Sequence, residues 1–133
     1  MSFGARPPRA ELGYVGSDRE RALQLMQGYS AEEALADKAP AVQAIKALPQ
    51  VTHRVGTLGY CMGVRMAYLT AATAAVDAAV AYYGGGIQNQ LDRAEAVRCP
   101  VQLHYAELDA HIPLTAVEHV RTALLHRAGA SPT

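Results

Sequence analysis

The chain contains no tryptophan, a single phenylalanine and only two cysteines among its 133 residues, and its formal net charge is zero. Twelve Lys and Arg residues balance twelve Asp and Glu residues, so no basic field is available to attract nucleic acid or an anionic membrane. Cys61 and Cys99 lie in unrelated contexts, which argues against a disulfide framework and a metal-binding spacing. Two free thiols are typical of a reducing compartment, so we expect a cytoplasmic protein that needs no metal or cofactor.

Long hydrophobic runs are missing as well. The longest apolar stretch, residues 71–83, is too short to cross a bilayer and contains Asp77 in its middle. The arginines near the N-terminus are not followed by the apolar run of a secretory signal. Half of the residues are nevertheless hydrophobic, which suits the core of one globular domain of this length. We therefore expect a single domain over residues 1–133 without a membrane span.

Helix signals dominate the first third of the chain. Residues 1–16 are rich in proline and glycine and predict an extended lead-in. Ser17–Glu20 and Ser30–Glu33 have the Ser-x-x-Glu spacing of a capping box and predict the starts of two helical stretches, the first of which ends at Gly28. Pro40 should break or kink the second stretch, which predicts either two helices or one broken helix.

The rest of the chain alternates between β-type and helical segments. Strands alternating with helices predict a parallel sheet with right-handed crossovers, and hence an α/β sandwich with its site at the carboxyl ends of the strands. A third capping box, Thr115–Glu118, predicts the start of the last helix, which should end at Gly129. The predicted strands are 54–61, 78–83 and 101–109, and the predicted helices between them are 63–75 and 91–98.

The segment Gly59-Tyr60-Cys61-Met62-Gly63 stands at the junction of the first strand and the next helix. Its spacing matches the G-x-S-x-G nucleophile turn, with cysteine in place of serine. The two glycines would let strand and helix approach each other, and Cys61 would meet the positive end of the helix dipole, which favours a thiolate. The backbone N–H of Met62 would face the oxyanion of a tetrahedral intermediate. The alternative is a buried structural cysteine between two glycines.

A cysteine nucleophile at such a turn needs an acid and a histidine, and only the acid has a candidate. Asp109 follows the third strand, where the acid of this fold belongs, although an aspartate before a helix is also common as a turn residue. No histidine has a convincing position, so the triad histidine stays unassigned among His53, His104, His111, His119 and His126. Without a general base, which typically contributes about 10²–10⁴-fold, activity should be slow.

These segments resemble the dienelactone hydrolases, α/β-hydrolases whose nucleophile is cysteine. The resemblance covers about residues 11–128 and rests on residues 19–37, 59–63, 81–86 and 99–113. It implies that Cys61 is the nucleophile, Asp109 the acid and Met62 an oxyanion-hole N–H donor. The reaction it implies is hydrolysis of a small-molecule ester or enol-lactone through a thioester acyl-enzyme.

Parts of the family pattern have no counterpart in this sequence. The missing parts are the first strands, which carry the second oxyanion N–H and a glutamate near the cysteine, and the strand and loop that carry the histidine. Val64 also replaces a glycine found in many relatives. We therefore expect a truncated, central portion of an α/β-hydrolase fold, with about three parallel strands and flanking helices. An uncovered sheet edge then predicts either a marginal domain or a homo-oligomer, and the alternative to catalysis is a non-catalytic fragment or interaction module.

Overall fold

The computed structural model describes residues 11–27 and 30–127, which belong to two compact units divided after Ser30. The first unit contains helix α1 (Gly16–Gln27). The second contains the sheet and the remaining helices. In chain order these are α2 (Ala31–Lys46), β1 (Gly56–Tyr60), α3 (Met62–Thr73), β2 (Ala78–Tyr82), short 3₁₀ segments at Ile87–Asn89 and Leu91–Ala96, β3 (Val101–His104) and α4 (Leu114–His126).

Three strands form one parallel sheet in the order β1-β2-β3. Gly56–Tyr60 pairs in register with Ala78–Tyr82, and residues 79–82 pair with Val101–His104. Each crossover is helical, so the carboxyl ends of all three strands meet at one edge of the sheet. The predicted partial α/β-hydrolase fold, with three parallel strands and flanking helices, is confirmed.

Helix α3 lies at the centre of the core. It packs on β1 and β2, on the sheet face where Gly59, Ala79 and Ala81 are buried. Helix α2 packs against α3, and α4 packs against the 3₁₀ segments. On the opposite sheet face Leu58 and Tyr60 are exposed, because α3 packs on the other face and neither α2 nor α4 packs on β1. Within the described ranges, no helix is long and apolar enough to cross a membrane.

Helix α2 continues through Pro40 without interruption, so the expected break is wrong. Proline removes one helical N–H and crowds the carbonyl four residues earlier, that of Ala36. Both residues are exposed, so the freed carbonyl can bond to water. The packing of α2 against α3, with Val42 buried, then maintains the helix on both sides of the proline.

The predicted helix starts have mixed outcomes. Helix α2 begins directly after Ser30, as expected. Helix α1 begins at Gly16, one residue before Ser17, so Ser17 lies within the first turn and is not the cap. At the start of α1 a side-chain hydrogen bond is made by Asp18, whose Oδ2 accepts from the Gly13 N–H at 3.0 Å. Of the predicted lead-in, residues 1–10 lie outside the described residues, as do Gly28 and Gly129.

The last strand and helix also differ from their predicted bounds. Strand β3 ends at His104, so residues 105–109 form a loop instead of extending the strand. Helix α4 begins at Leu114 after Pro113, whose extended backbone occupies the cap position without a side-chain bond. The capping box at Thr115 is therefore wrong, because Pro113, two residues earlier, holds the cap position and Thr115 lies in the first turn of α4. Helix α4 ends at His126, before the predicted glycine.

Candidate active site

The turn between β1 and α3 exposes Cys61. Its backbone has φ 52° and ψ −117°, a conformation that residues other than glycine rarely adopt and that costs about 1–3 kcal/mol. The Cys61 N–H lies 3.4 Å from the carbonyl of Tyr82, and the Val64 N–H donates to the Cys61 carbonyl at 3.1 Å. These bonds join the turn to β2 and α3. The strained strand-to-helix turn expected from the sequence is present, and Cys61 is exposed and not buried.

Gly59 permits the close approach of β1 to α3. A Cβ at this position would overlap the carbonyl group of Gly63 and lie 2.7 Å from the nitrogen of Val64. All of these atoms are backbone, so no side-chain rotation could relieve the overlap. A Cβ at Gly63 would meet no atom within 4 Å. The expected role of Gly59 is confirmed, whereas Gly63 does not need to be glycine for packing.

A third glycine supports the same turn from β2. Gly84 is buried, and a Cβ there would overlap Cγ1 of Val64 and lie 2.9 Å from its Cβ. The side chain of Val64 is fully buried in the space that Gly84 leaves. The sequence analysis assigned Gly84 no role in this turn. The sequence signal for this contact was Val64, which replaces a glycine found in many relatives. A larger side chain at that position needs a small residue, here Gly84, opposite it.

Asp109 lies in the loop after β3 and organises that loop. Its Oδ1 accepts hydrogen bonds from the N–H groups of His111, at 2.7 Å, and Ile112, at 3.2 Å. The turn function considered from the sequence is therefore present. The second oxygen, Oδ2, accepts no hydrogen bond from any part of the chain that the structure describes. Ile112 is buried, and a Cβ at Gly85 would contact its Cγ1 at 3.9 Å. The loop after β2 thus lies between α3 and the Asp109 loop.

A model of the dienelactone hydrolase family matches residues 13–130. The chain belongs to the dienelactone hydrolase family. It is similar to the carboxymethylenebutenolidases of Pseudomonas putida and of Pseudomonas knackmussii, with 33% identity over 114 residues in each case. It is 32% identical over 111 residues to carboxymethylenebutenolidase 1 of Cupriavidus pinatubonensis. The alignments cover 86% and 83% of this chain but 47% of each relative, so the chain spans about half the length of these curated relatives.

In this dienelactone hydrolase family member, aromatic rings line the carboxyl edge of the sheet. The last residues of the three strands stack in register: Tyr60 and Tyr82 have ring centroids 5.2 Å apart, and Tyr82 and His104 have centroids 4.3 Å apart. The ring of Tyr83 lies 6.3 Å from that of Tyr60. Tyr83 also has a positive φ, 48°. We call these four residues the aromatic cluster.

No histidine ring bonds to Asp109 among the described residues of this family member. His53 donates through Nδ1 to the carbonyl of Lys46, 2.7 Å away at the end of α2. His104 belongs to the aromatic cluster, and its buried Nε2 has no hydrogen-bond partner among the described residues. His111 contributes only its backbone N–H to Asp109. The structure therefore adds no candidate for the base that the sequence leaves unassigned.

The two thiols of this dienelactone hydrolase family member have contrasting environments. Cys61 is exposed at the end of β1, whereas Cys99 is buried before β3. Burial raises the pKa of the Cys99 thiol, which makes that side chain a weak nucleophile near neutral pH. Within residues 11–27 and 30–127, no group of His, Cys, Asp or Glu side chains could hold a metal ion.

Proposed function

We propose that the protein hydrolyses carboxylic esters or enol-lactones with Cys61 as its nucleophile. The observation that carries the proposal is the exposed, strained turn at Cys61, because strain of this kind persists mainly where function requires it. The thiol is accessible to a substrate there, directly before the first residue of α3. Membership of the dienelactone hydrolase family and the name carboxymethylenebutenolidase of the similar proteins support the lactone class.

In the proposed reaction the Cys61 sulfur attacks the substrate carbonyl, and an S–C bond forms while the carbonyl electrons move to oxygen. Met62 is the first residue of α3, and an N–H at that position has no intrahelical acceptor, so it can donate to this oxyanion. The carbonyl re-forms as the C–O bond to the alkoxide or enolate breaks, and that oxygen takes up the proton that the thiol lost. Water hydrolyses the thioester and releases the acid.

Asp109 is the proposed acid, which would orient a protonated base and stabilise its charge. Its Oδ2, which accepts no hydrogen bond within residues 11–27 and 30–127, supports this role, while Oδ1 fixes the loop that holds it. No base is proposed from the described residues. Turnover by this chain alone should therefore be slow, because general-base assistance is worth about 10²–10⁴-fold.

The sheet face opposite α3 favours a second candidate function, that of a non-catalytic interaction module. Leu58 and Tyr60 are exposed side by side on an edge strand, which is unusual for a surface without a partner. In that case Cys61 would contribute only to the turn. The two functions predict different reactivities of the Cys61 thiol, and these can be measured directly.

Competitive labelling with iodoacetamide at about pH 7 tests the proposal, with Cys99 as the internal control. We expect Cys61 to react much faster than Cys99, and a chromogenic ester to give a burst of product that Cys61→Ala abolishes. The burst should survive in Cys99→Ala. Equal labelling of the two thiols in the folded protein, together with no burst, would exclude the catalytic function and leave the interaction module.

A further inference from the structure

The loop that carries Asp109 is anchored by one apolar side chain, that of Ile112. Among residues 106–113, all of which the structure describes, Ile112 is the only buried one. Leu108, in the same loop, is 94% exposed. The Asp109 N–H donates to the Ala106 carbonyl at 3.3 Å, a bond that closes the loop on itself and does not attach it to the sheet. The packing of Ile112 therefore determines where the loop lies.

The backbone of the same residue holds the carboxylate of Asp109. The Ile112 N–H donates to Oδ1 of Asp109 at 3.2 Å, beside the bond of 2.7 Å from the His111 N–H. A carboxylate is planar and rigid, so donors that fix Oδ1 also fix the direction of Oδ2. A displacement of the Ile112 side chain would move one of these donors and turn Oδ2 away.

The side chain of Ile112 packs on the loop after β2. A Cβ at Gly85 would lie 3.9 Å from Cγ1 and 4.0 Å from Cδ1 of Ile112, which is ordinary van der Waals contact. Gly85 follows Gly84, whose missing Cβ leaves the space that Val64 fills. The Val64 N–H in turn donates to the Cys61 carbonyl. A continuous series of contacts therefore joins the Asp109 loop to the turn at Cys61.

We propose that Ile112 is a positioning residue for the hydrolysis, which acts through Asp109. Its side chain fixes the Asp109 loop against the loop after β2, and its N–H holds Oδ1 so that Oδ2 faces the base. This inference rests on the proposed function, because it needs Asp109 as the acid. A purely structural isoleucine would affect the stability of the protein and not the contribution of Asp109 to the reaction.

Release of the acyl group with an added base tests the proposal. Cys61 is acylated with an activated ester, and release of the acid is followed in imidazole or in 1-methylimidazole. In this step the base takes a proton from water, the water oxygen bonds to the acyl carbon, the C–S bond breaks and Cys61 leaves as a thiolate. Imidazole can donate its second N–H to Oδ2 of Asp109, whereas 1-methylimidazole cannot.

The imidazole to 1-methylimidazole rate ratio, divided by the same ratio for a small thioester in solution, therefore measures the contribution of Asp109. We expect a value of about 10 for the wild type, the factor that corresponds to one hydrogen bond to a charged group. Ile112→Ala should lower the value to within about 2-fold of that of Asp109→Asn, because a small displacement of a catalytic group removes most of its effect.

Three further substitutions separate positioning from stability. Ile112→Val keeps most of the contact with the loop after β2 and should keep the wild-type value. Leu108→Ala, at the exposed leucine of the same loop, is the matched control and should also keep it. Urea unfolding shows which variants are folded under the assay conditions. If Ile112→Ala is unfolded there, Ile112→Thr replaces it, because threonine keeps the branched shape while its hydroxyl disfavours the apolar contact.

The outcomes distinguish this inference from the proposed function. A wild-type value in folded Ile112→Ala or Ile112→Thr, together with a lowered value in Asp109→Asn, would overturn the inference and leave the proposed function intact. A wild-type ratio equal to that in solution, or no acyl group on Cys61, would overturn the proposed function and the inference with it.

Discussion

At the scale of single residues, the candidate site depends on a few positions where size or backbone conformation leaves little choice. Cys61 and Tyr83 have positive φ, and Gly59 and Gly84 occupy places where a Cβ would overlap neighbouring atoms. Together these residues fix the carboxyl ends of β1 and β2. Conformational strain and close packing therefore coincide at the edge where the proposed chemistry takes place.

Gly59 and Gly63 form a matched pair for testing the close approach of β1 and α3. Gly59→Ala places a methyl group against backbone atoms and should destabilise the protein by at least about 1–3 kcal/mol, the usual cost of overpacking. Gly63→Ala meets open space within a helix and should stabilise it by up to about 1 kcal/mol. Urea unfolding of both variants measures the difference. Equal effects of the two substitutions would contradict this packing.

Gly84 and Val64 should be energetically coupled, because each occupies space that the other leaves. Gly84→Ala alone overlaps the Val64 side chain and should cost about 1–3 kcal/mol or more. Val64→Gly alone removes a fully buried side chain and weakens α3. In a double-mutant cycle, the two substitutions together should cost less than the sum of the single effects by more than about 0.5 kcal/mol. If the two changes in the free energy of unfolding simply add, the contact between Gly84 and Val64 does not contribute to stability.

At the scale of elements, a polar clamp joins the end of α2, the residue before β1 and the loop before β2. Val55 and Asp77 exchange two hydrogen bonds of 2.8 Å, one from the Val55 N–H to the Asp77 carboxylate and one from the Asp77 N–H to the Val55 carbonyl. Lys46 lies 3.4 Å from the same carboxylate and also donates to the carbonyl of Ala75. The clamp sets where β1 and β2 begin.

The clamp makes stability depend on pH in a defined direction. The hydrogen bond from the Val55 N–H, followed by the one from Lys46, lowers the pKa of Asp77 below its usual 3.8. A carboxyl whose pKa is lower in the folded state stabilises the protein above the unfolded value and loses this contribution as pH falls through the folded value. The stability advantage of the wild type over Asp77→Asn should therefore shrink below about pH 4. Urea midpoints across this range measure it, and a constant or growing advantage would contradict the clamp.

The elements also show which features were readable from the sequence. The β-α-β alternation and the glycine-flanked cysteine predicted the parallel sheet and the turn correctly, because both depend on local periodicity and on small residues. Pro40 and Thr115 gave wrong local predictions, since packing against α3 and the backbone of Pro113 determine those positions. The positive φ of Tyr83 could not be predicted, because it is set by tertiary surroundings and not by residue type.

At the scale of the whole molecule, α3 covers one face of the three-stranded sheet, and among the described residues of the second unit Leu58 and Tyr60 are exposed on the opposite face. Leu58, in the middle of β1, is 59% exposed on that face, and β1 is an edge strand. Exposed apolar side chains on an edge strand favour association with another chain. Self-association through this face is therefore a prediction, and the exposed side chain of Leu58 is the place to test it.

Sedimentation velocity over a range of protein concentrations measures this expectation. The wild type should sediment as a species larger than its 14.1 kDa chain, and Leu58→Lys should shift it toward the monomer, because a buried lysine at an interface is costly. Leu125→Lys, at a similarly exposed leucine of α4, is the control and should behave like the wild type. A monomeric wild type, or equal effects of the two lysines, would contradict association through the sheet face.

The most direct test of the proposed chemistry is to locate the acyl group after a single turnover. The protein is mixed with an activated ester, quenched in acid within the burst, digested and analysed by mass spectrometry. We predict that the acyl mass is found on the peptide containing Cys61 and not on the peptide containing Cys99, and that it is absent from Cys61→Ala. Folded protein that carries no acyl group, or carries it equally on both cysteines, would contradict the assignment of Cys61 as the nucleophile.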